Sequence, residues 1–177
     1  MSSLKIPVGP ADHIQGDESA PITLVEYGDY ECPHCARAYP IVKKVQKHFG
    51  KQLRFVFRNF PLTEMHPNAE FAAETSEFAG AHDKFWQAHD LLFENQSRLG
   101  GELYAEIAHK LNLSPSDLAD ALVKREYAAK VHDDFSGGVR SGVNGTPTFF
   151  INNQRNDAPF DYEDLITAID AAISNSK

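Results

Sequence analysis

The two cysteines of this 177-residue chain, Cys32 and Cys35, are separated only by Pro33 and His34 and follow a segment typical of a β-strand. This spacing indicates a redox-active dithiol. Proline is favoured in the first turn of a helix, so we expect Cys32 at the helix N-cap and Cys35 one turn later on the same face. The two sulfur atoms can then meet.

The predicted helix gives the two thiols different reactivities. Partial positive charge at a helix N-terminus stabilises a thiolate on Cys32 and lowers its pKa. Cys35 lies one turn inside the helix and is expected to be the more buried, resolving thiol. The imidazole of His34, as a cation or an N–H donor, can further favour the thiolate. Such stabilisation makes a disulfide more oxidising.

Two other interpretations of the cysteine pair are open. A structural zinc site needs four Cys or His ligands, so His34 or a distant histidine would have to join the cysteines. A purely structural disulfide would close a very short loop, which removes little entropy from the unfolded chain. We therefore predict that the dithiol does chemistry without a metal.

The composition is that of a globular protein, with 42% hydrophobic and 24% charged residues. A formal net charge of -8 and the lack of a basic block argue against nucleic-acid binding. No stretch of the sequence is apolar enough for a membrane span or a signal-peptide core. We expect a cytoplasmic location for the chain as written, and a periplasmic or other extracytoplasmic one if a signal has been removed.

The elements around the dithiol form a strand, helix, strand unit. Residues 22–27 are predicted as a buried strand, residues 33–49 as a helix that Pro40 should kink, and residues 53–57 as a second strand. This order implies a parallel, right-handed crossover. It places the dithiol at the carboxyl end of the first strand, where open α/β sheets hold their sites.

The rest of the chain completes an α/β frame. Residues 11–21 are polar and turn-rich. From about residue 66 to 138 the apolar residues recur at helical spacing, strand character returns at residues 148–151, and an amphipathic helix follows at residues 162–173. An α/β frame therefore brackets a helical insertion.

The dithiol, the strand before it and the run Gly145-Thr146-Pro147-Thr148 before a late strand make the chain similar to the thioredoxin fold. More narrowly, it resembles the DsbA-like thiol-disulfide oxidoreductases. The resemblance extends from about Asp12 to the C-terminus. It implies a thioredoxin-like domain formed by residues 12–62 and 142–177, with an all-helical insertion formed by residues 63–141.

The resemblance also implies roles for individual residues. Cys32 matches the exposed nucleophile of the family and Cys35 the buried resolving cysteine. Pro147 matches the cis-proline that faces the dithiol, and the backbone of Thr146 would hydrogen-bond a bound peptide. Glu26, six residues before Cys32, matches a buried acid that moves protons to and from Cys35.

Other residues have less specific interpretations. By strand alternation alone, Glu26 could instead face solvent. Arg58 either lies near the buried acid, as basic residues do in related proteins, or is solvated. Five histidines are expected at the surface or the edge of the core: His66, His82, His89, His109 and His132.

Together these observations predict thiol-disulfide exchange through a mixed disulfide, without a metal or organic cofactor. The expected partners are cysteine-containing proteins or peptides and a redox recycling partner. Carboxylates at Asp29 and Glu31 oppose the helix effect on Cys32, so we expect a moderately oxidising dithiol. The alternatives are a metal-binding or thiol-dependent interaction module without turnover and a glutathione-linked isomerase or transferase.

Overall fold

A mixed five-stranded sheet lies at the centre of the computed structural model, which describes residues 2–177. In chain order the strands are β1 (His13–Gly16), β2 (Ile22–Gly28), β3 (Leu53–Asn59), β4 (Thr148–Ile151) and β5 (Gln154–Arg155). Their spatial order is β1-β3-β2-β4-β5. Strands β2 and β3 are parallel, and every other neighbouring pair is antiparallel.

Seven α-helices surround this sheet within the described chain. Helix α1 (Pro33–Phe49) connects β2 to β3, and α7 (Tyr162–Asn175) follows β5. The helices between β3 and β4 are α2 (Ala69–Gly80), α3 (Phe85–Glu94), α4 (Gly101–Lys110), α5 (Pro115–Val123) and α6 (Ala128–Arg140). Single turns of 3-10 helix occupy Gly50–Gln52 and Gln96–Arg98.

The two faces of the sheet bury different cores, because successive side chains of a strand point to opposite sides. On one face, Leu24 and Phe57 join the larger core, which includes both cysteines and residues from α1, α7 and the helices between β3 and β4. On the other face, Tyr27 and Phe150 form a smaller core with Phe135 of α6 and the N-terminal segment. The dithiol therefore belongs to the larger core.

The predicted α/β fold is confirmed, including the parallel crossover from β2 through α1 to β3. Within the segment expected to be polar and turn-rich, residues 11–21, the strand formed by residues 13–16 was not predicted; it is the edge strand β1. This strand pairs antiparallel with β3 along its whole length. Its backbone hydrogen bonds hold it at the edge of the sheet, where an apolar pattern is not needed.

Helix α1 begins at Pro33, where the missing N–H leaves no hydrogen bond unmade. It continues without interruption past Pro40, so the kink expected there stays a prediction. It ends at Gly50, whose φ of 52° is a left-handed value that glycine adopts without steric cost. Over residues 2–177, none of the helices combines the length and the apolar character needed to cross a membrane.

Candidate active site

Cys32 and Cys35 lie at the N-terminus of α1, as their spacing predicts. Cys32 is the N-cap, with extended backbone angles, and its carbonyl accepts the first helical hydrogen bond from Ala36 N at 3.1 Å. Both cysteines are free thiols. The helix begins within the larger core, so the dithiol lies between the sheet and the surrounding helices.

Hydrogen bonds directed at Cys32 favour its thiolate. The Cys35 thiol makes the largest contribution, followed by the side chain of Thr146 and the backbone N–H groups of Cys35 and His34. Together they outweigh the effect of burial and lower the pKa of Cys32 to about 5. A thiol with such a pKa is ionised at neutral pH and is a good leaving group.

Cys35 has the opposite character. It is fully buried, and burial is the main reason that its pKa lies well above the ordinary value of a cysteine. Its hydrogen bond to Cys32 and the negative charge of Glu26 raise the pKa further, whereas the backbone N–H of Asp29 lowers it. At neutral pH the site therefore contains one thiolate and one protonated thiol.

Glu26 is buried in the middle of β2, with 2% of its surface exposed. Burial, and to a lesser degree the negative charge of Cys32, raises its pKa to about 8. Among residues 2–177, no group donates a hydrogen bond to Glu26 Oε1. The solvent-facing interpretation of Glu26 was wrong, because its side chain points into the core.

A narrow cavity reaches Glu26 and has about 10 Å³ of room for water, which is close to the space of one molecule. Its walls include the exposed Lys43 and the partly exposed Gln15, Gln46 and Asp90. A buried carboxyl group that borders such a cavity can exchange a proton with water.

Gly28 leaves space for this carboxyl group and for the strand beside it. A Cβ atom at Gly28 would lie 3.0 Å from Glu26 Oε1 and 2.5 Å from the Phe57 ring. The second distance is too short for any side chain. The glycine between Glu26 and the dithiol is thus required by the packing of β2 against β3.

The peptide bond between Thr146 and Pro147 is cis, and Thr146 faces the dithiol. Cys32 Sγ lies 3.5 Å from the carbonyl oxygen of Thr146, to which the protonated thiol would donate. Both Thr146 and Pro147 are half-buried and immediately precede β4. The structure thus places Thr146 beside Cys32.

The exposures of Cys32 and His34 differ from what the sequence suggests. Cys32 is only 4% exposed, so the expectation of an exposed nucleophile was wrong. The reason is that the Thr146 segment lies against its sulfur. Pro33 and His34 are exposed, and the His34 group that acts on Cys32 is its backbone N–H.

Gln96 and His66 escaped sequence reasoning as contributors to the site, and Asp29 was expected there only as a charge that opposes the Cys32 thiolate. The side-chain amide of Gln96 donates to the carbonyl oxygens of Tyr30 (2.9 Å) and Cys32 (3.0 Å). The carboxylate of Asp29 lies 2.8 Å from His66 Nδ1. An Asp three residues before an N-cap is a signal for a turn, but nothing local in the sequence indicates Gln96 or His66.

Both interpretations of Arg58 were wrong. Its side chain is 3% exposed and lies on the opposite face of the sheet from Glu26. It forms a bidentate ion pair with Asp12 at 2.7 and 2.9 Å and donates to the hydroxyl of Tyr27. Arg58 therefore anchors the N-terminal segment to β3.

His89 also departs from its predicted place at the surface or the core edge. It is 4% exposed, and its Nδ1 lies 2.9 Å from the hydroxyl of Tyr30. Burial lowers its pKa to about 3, so it is neutral. Within residues 2–177, no group of three or more His, Cys, Asp or Glu side chains is arranged to hold a metal ion.

Comparisons with known proteins agree with this fold. A family model described as Thioredoxin matches residues 9–171. The oxidised crystal structure of BdbD from Bacillus subtilis superposes with a TM-score of 0.85, at 27% sequence identity over 93% of this chain and 94% of BdbD. Wolbachia pipientis alpha-DsbA1 shares the fold, with a TM-score of 0.83, 21% identity and coverage of 98% and 96%.

Curated relatives match along nearly the whole chain. A protein named Na(+)/H(+) antiporter NhaA 1 from Salinispora arenicola is 39% identical over 175 residues, or 98% of this chain. The chain spans only 27% of the length of that relative. The name describes the longer protein, whereas the similarity concerns a segment of it.

Proposed function

Because the chain belongs to the thioredoxin family, as a DsbA-like member with an α/β thioredoxin-like fold, we propose that it is a thiol-disulfide oxidoreductase acting on protein or peptide thiols. One observation carries this proposal. Cys32 at the N-cap of α1 and the fully buried Cys35 one turn later lie side by side, where hydrogen bonds favour the Cys32 thiolate and burial favours the protonated Cys35 thiol. Such a pair can alternate between a dithiol and a disulfide.

In the oxidising direction the protein begins with a Cys32–Cys35 disulfide. A substrate thiolate attacks Cys32 Sγ, the intramolecular S–S bond breaks, and Cys35 leaves as a thiolate that then takes up a proton. A second substrate thiolate attacks the substrate sulfur of the mixed disulfide. Cys32 leaves as a stable thiolate, the substrate is oxidised to a disulfide, and the protein is reduced to the dithiol.

In the reducing direction the same steps run backwards. The Cys32 thiolate attacks a substrate disulfide, forms a mixed disulfide and releases one substrate thiolate. Cys35 loses its proton and attacks Cys32 Sγ, which releases the second substrate thiolate and oxidises the dithiol. The low pKa of Cys32 favours the reduced protein and hence the oxidising direction.

Glu26 is the proposed proton acceptor and donor for Cys35. Its pKa of about 8 suits proton exchange near neutral pH, and its negative charge acts on Cys35. Water in the adjoining cavity would pass the proton onward. In this proposal Pro33 begins helix α1, and the backbone N–H of His34 stabilises the Cys32 thiolate.

Thr146 and Pro147 are the proposed substrate-binding residues. Thr146 precedes β4 and lies against Cys32, so an extended peptide paired with its backbone would present a cysteine to the nucleophile. We assign this binding surface and the dithiol to a thioredoxin-like domain of residues 12–62 and 142–177. Residues 63–141 form the helical insertion in this proposal.

The proposed partners are cysteine-containing proteins or peptides and a second redox protein that recycles the dithiol. In this proposal the bonds that form and break join the sulfur atoms of Cys32, Cys35 and the substrate, and the reaction needs no metal or organic cofactor. Ion exchange is named for the longer relatives, and this proposal concerns only the domain that they share with this chain.

The test is the reduction potential of the Cys32/Cys35 couple, measured by equilibration with glutathione buffers. Cys32→Ser is the control, because it removes the nucleophile. A value of about -120 to -180 mV would identify a donor of disulfides, and a value of about -270 mV a reductase. A Cys35→Ser variant should accumulate a mixed disulfide on Cys32, detectable by mass spectrometry.

If no reversible dithiol couple appears and Cys35→Ser traps no substrate, the oxidoreductase proposal fails. Metal retained after purification at one ion per chain would then favour a metal-binding module. Turnover of a glutathione-linked small molecule would favour the isomerase or transferase alternative.

A further inference from the structure

Asp29, three residues before Cys32, has a carboxylate that is completely shielded from solvent. Oδ1 accepts a hydrogen bond from Glu31 N at 2.8 Å. Oδ2 accepts one from Leu62 N at 2.9 Å and lies 2.8 Å from His66 Nδ1. Three donors therefore hold one buried side chain, two of them from the segment between β3 and α2.

The backbone of the same residue contacts the dithiol. Asp29 N donates to Cys35 Sγ at 3.4 Å, and its carbonyl oxygen accepts from Cys32 N at 3.1 Å. Asp29 lies just after β2 and before α1, outside both elements. The peptide group that carries this N–H is held on its other side by the residue that follows β3, because the Gly28 carbonyl oxygen accepts from Phe60 N at 2.8 Å. The side-chain contacts of Asp29 are a second anchor for the same peptide group.

We propose that Asp29 is a positioning residue for Cys35: its carboxylate, held by Leu62 and His66, keeps the Asp29 N–H directed at the resolving sulfur. This inference rests on the proposed oxidoreductase function. During resolution the Cys35 thiol loses its proton, and the resulting thiolate attacks Cys32 Sγ. A Cys32–Cys35 bond forms, the bond between Cys32 and the substrate breaks, and the substrate sulfur leaves as a thiolate.

The Asp29 N–H stabilises the Cys35 thiolate as it forms in this step. In the oxidising direction it stabilises the same thiolate as a leaving group. Hydrogen bonds to charged groups are stronger than those to neutral ones, so the contact gains strength when Cys35 ionises.

The negative charge of Asp29 and the position of its N–H have opposite effects on the rate at which Cys35 resolves the mixed disulfide. A carboxylate near a thiol disfavours the thiolate, so removing the charge alone would accelerate resolution. Releasing the N–H from Cys35 would slow it. The sign of the change therefore distinguishes a positioning role from an electrostatic one.

The experiment uses the reduced protein and an excess of an aromatic disulfide, dithiobis-nitrobenzoate, followed by stopped-flow absorbance. Attack by Cys32 releases one coloured thiolate and leaves the other on Cys32. Attack by Cys35 then releases the second and forms the intramolecular disulfide. The two phases report nucleophilic attack and resolution separately.

We expect Asp29→Ala to slow the second phase about tenfold and to leave the first nearly unchanged. Asp29→Asn keeps one acceptor oxygen and should fall between Asp29→Ala and the unmodified protein. If either variant resolves as fast as the unmodified protein, or faster, the positioning role is overturned. Should Asp29→Ala fail to fold, His66→Ala should still slow the second phase severalfold, and an unchanged rate would overturn the proposal.

Glu31→Ala is the matched control. Its carboxylate also reaches the segment before α2, where it accepts from Asn68 N at 2.8 Å, but Glu31 makes no hydrogen bond to Cys35. We expect an unchanged second phase. If Glu31→Ala slows resolution as much as Asp29→Ala does, a general loss of structure in the segment between β3 and α2 explains the effect. The proposal is then wrong.

Failure of the proposed function would look different. The unmodified protein would then end with the aromatic thiol still attached to its cysteines, as an increase in mass. A functioning dithiol ends two hydrogens lighter and without an adduct. Only in that second case does the rate in Asp29→Ala decide whether Asp29 positions Cys35.

Discussion

Cys32 Sγ lies 3.5 Å from the carbonyl oxygen of Thr146, a residue 114 positions later in the chain. The side chain of Thr146 also contributes to the low pKa of Cys32. One residue thus borders the nucleophile with both its backbone and its side chain. In the proposed function its backbone binds a substrate peptide, and its buried hydroxyl, which has no other hydrogen-bond partner among residues 2–177, favours the thiolate form of Cys32.

Thr146→Val removes this hydroxyl and keeps the branched shape. We expect the pKa of Cys32 to rise from its value of about 5, because the thiolate loses the neighbouring unpaired hydroxyl that can donate to it. The disulfide should then become less oxidising. The pH dependence of Cys32 alkylation measures the pKa directly. An identical midpoint in both proteins would show that the hydroxyl has no such role.

Glu26→Gln should stabilise the protein in a pH-dependent manner. The pKa of Glu26 is raised to about 8 from 4.5, so the folded protein is stable with the acid protonated and loses stability as pH rises from 4.5 towards 8. The variant should match the unmodified protein near pH 4 and exceed it by several kcal/mol at pH 8. Urea unfolding across this range measures the difference.

Glutamine at position 26 should also slow proton transfer at Cys35 during resolution. A stability difference that is the same at pH 4 and pH 8 would mean that Glu26 does not titrate in this range, and would remove the basis for its proton-transfer role.

Arg58→Leu should destabilise the fold without changing the redox couple. The substitution leaves the carboxylate of Asp12 without its bidentate partner, and removing one member of a buried pair costs about 3–5 kcal/mol. Urea unfolding of the reduced protein measures this loss. Arg98→Ala, which breaks an exposed pair with Glu106, is the control and should have little effect. A shifted reduction potential in Arg58→Leu would place Arg58 in the functional site after all.

Gln96→Ala should loosen the start of α1. The variant loses the hydrogen bonds to the carbonyl oxygens of Tyr30 and Cys32, which should lower the free energy of unfolding by about 1–2 kcal/mol. Hydrogen exchange at the Ala36 amide, which donates to the Cys32 carbonyl, should accelerate. Gln87→Ala, at an exposed position of α3, should change neither quantity.

Local patterns were sufficient to predict most of the fold. The apolar runs of β2 and β3, the proline at the start of α1 and the helical spacing between the two halves each depend on neighbouring residues. Strand β1 was missed because it is short and is held at the sheet edge by hydrogen bonds to β3. Its sequence therefore needs no apolar pattern.

The residues of the candidate site also fall into two groups, those that the sequence indicates and those that only the packed structure brings together. The positions of Cys32 and Cys35 followed from a spacing of three residues, and the resemblance to a known family supplied Glu26, Thr146 and Pro147. Asp29 and His66 are 37 positions apart, and Gln96 and Cys32 are 64 apart. No local pattern connects such pairs, because only the packed chain brings them together.

The helices between β3 and β4 determine when this site can be completed as the polypeptide is made. A ribosome produces Cys32 and Cys35 more than a hundred residues before Thr146. Until β4 emerges and pairs with β2, the nascent dithiol has a helix start but not the late segment that lies against its sulfur. The insertion thus lengthens the time during which a growing chain carries Cys32 without this cover.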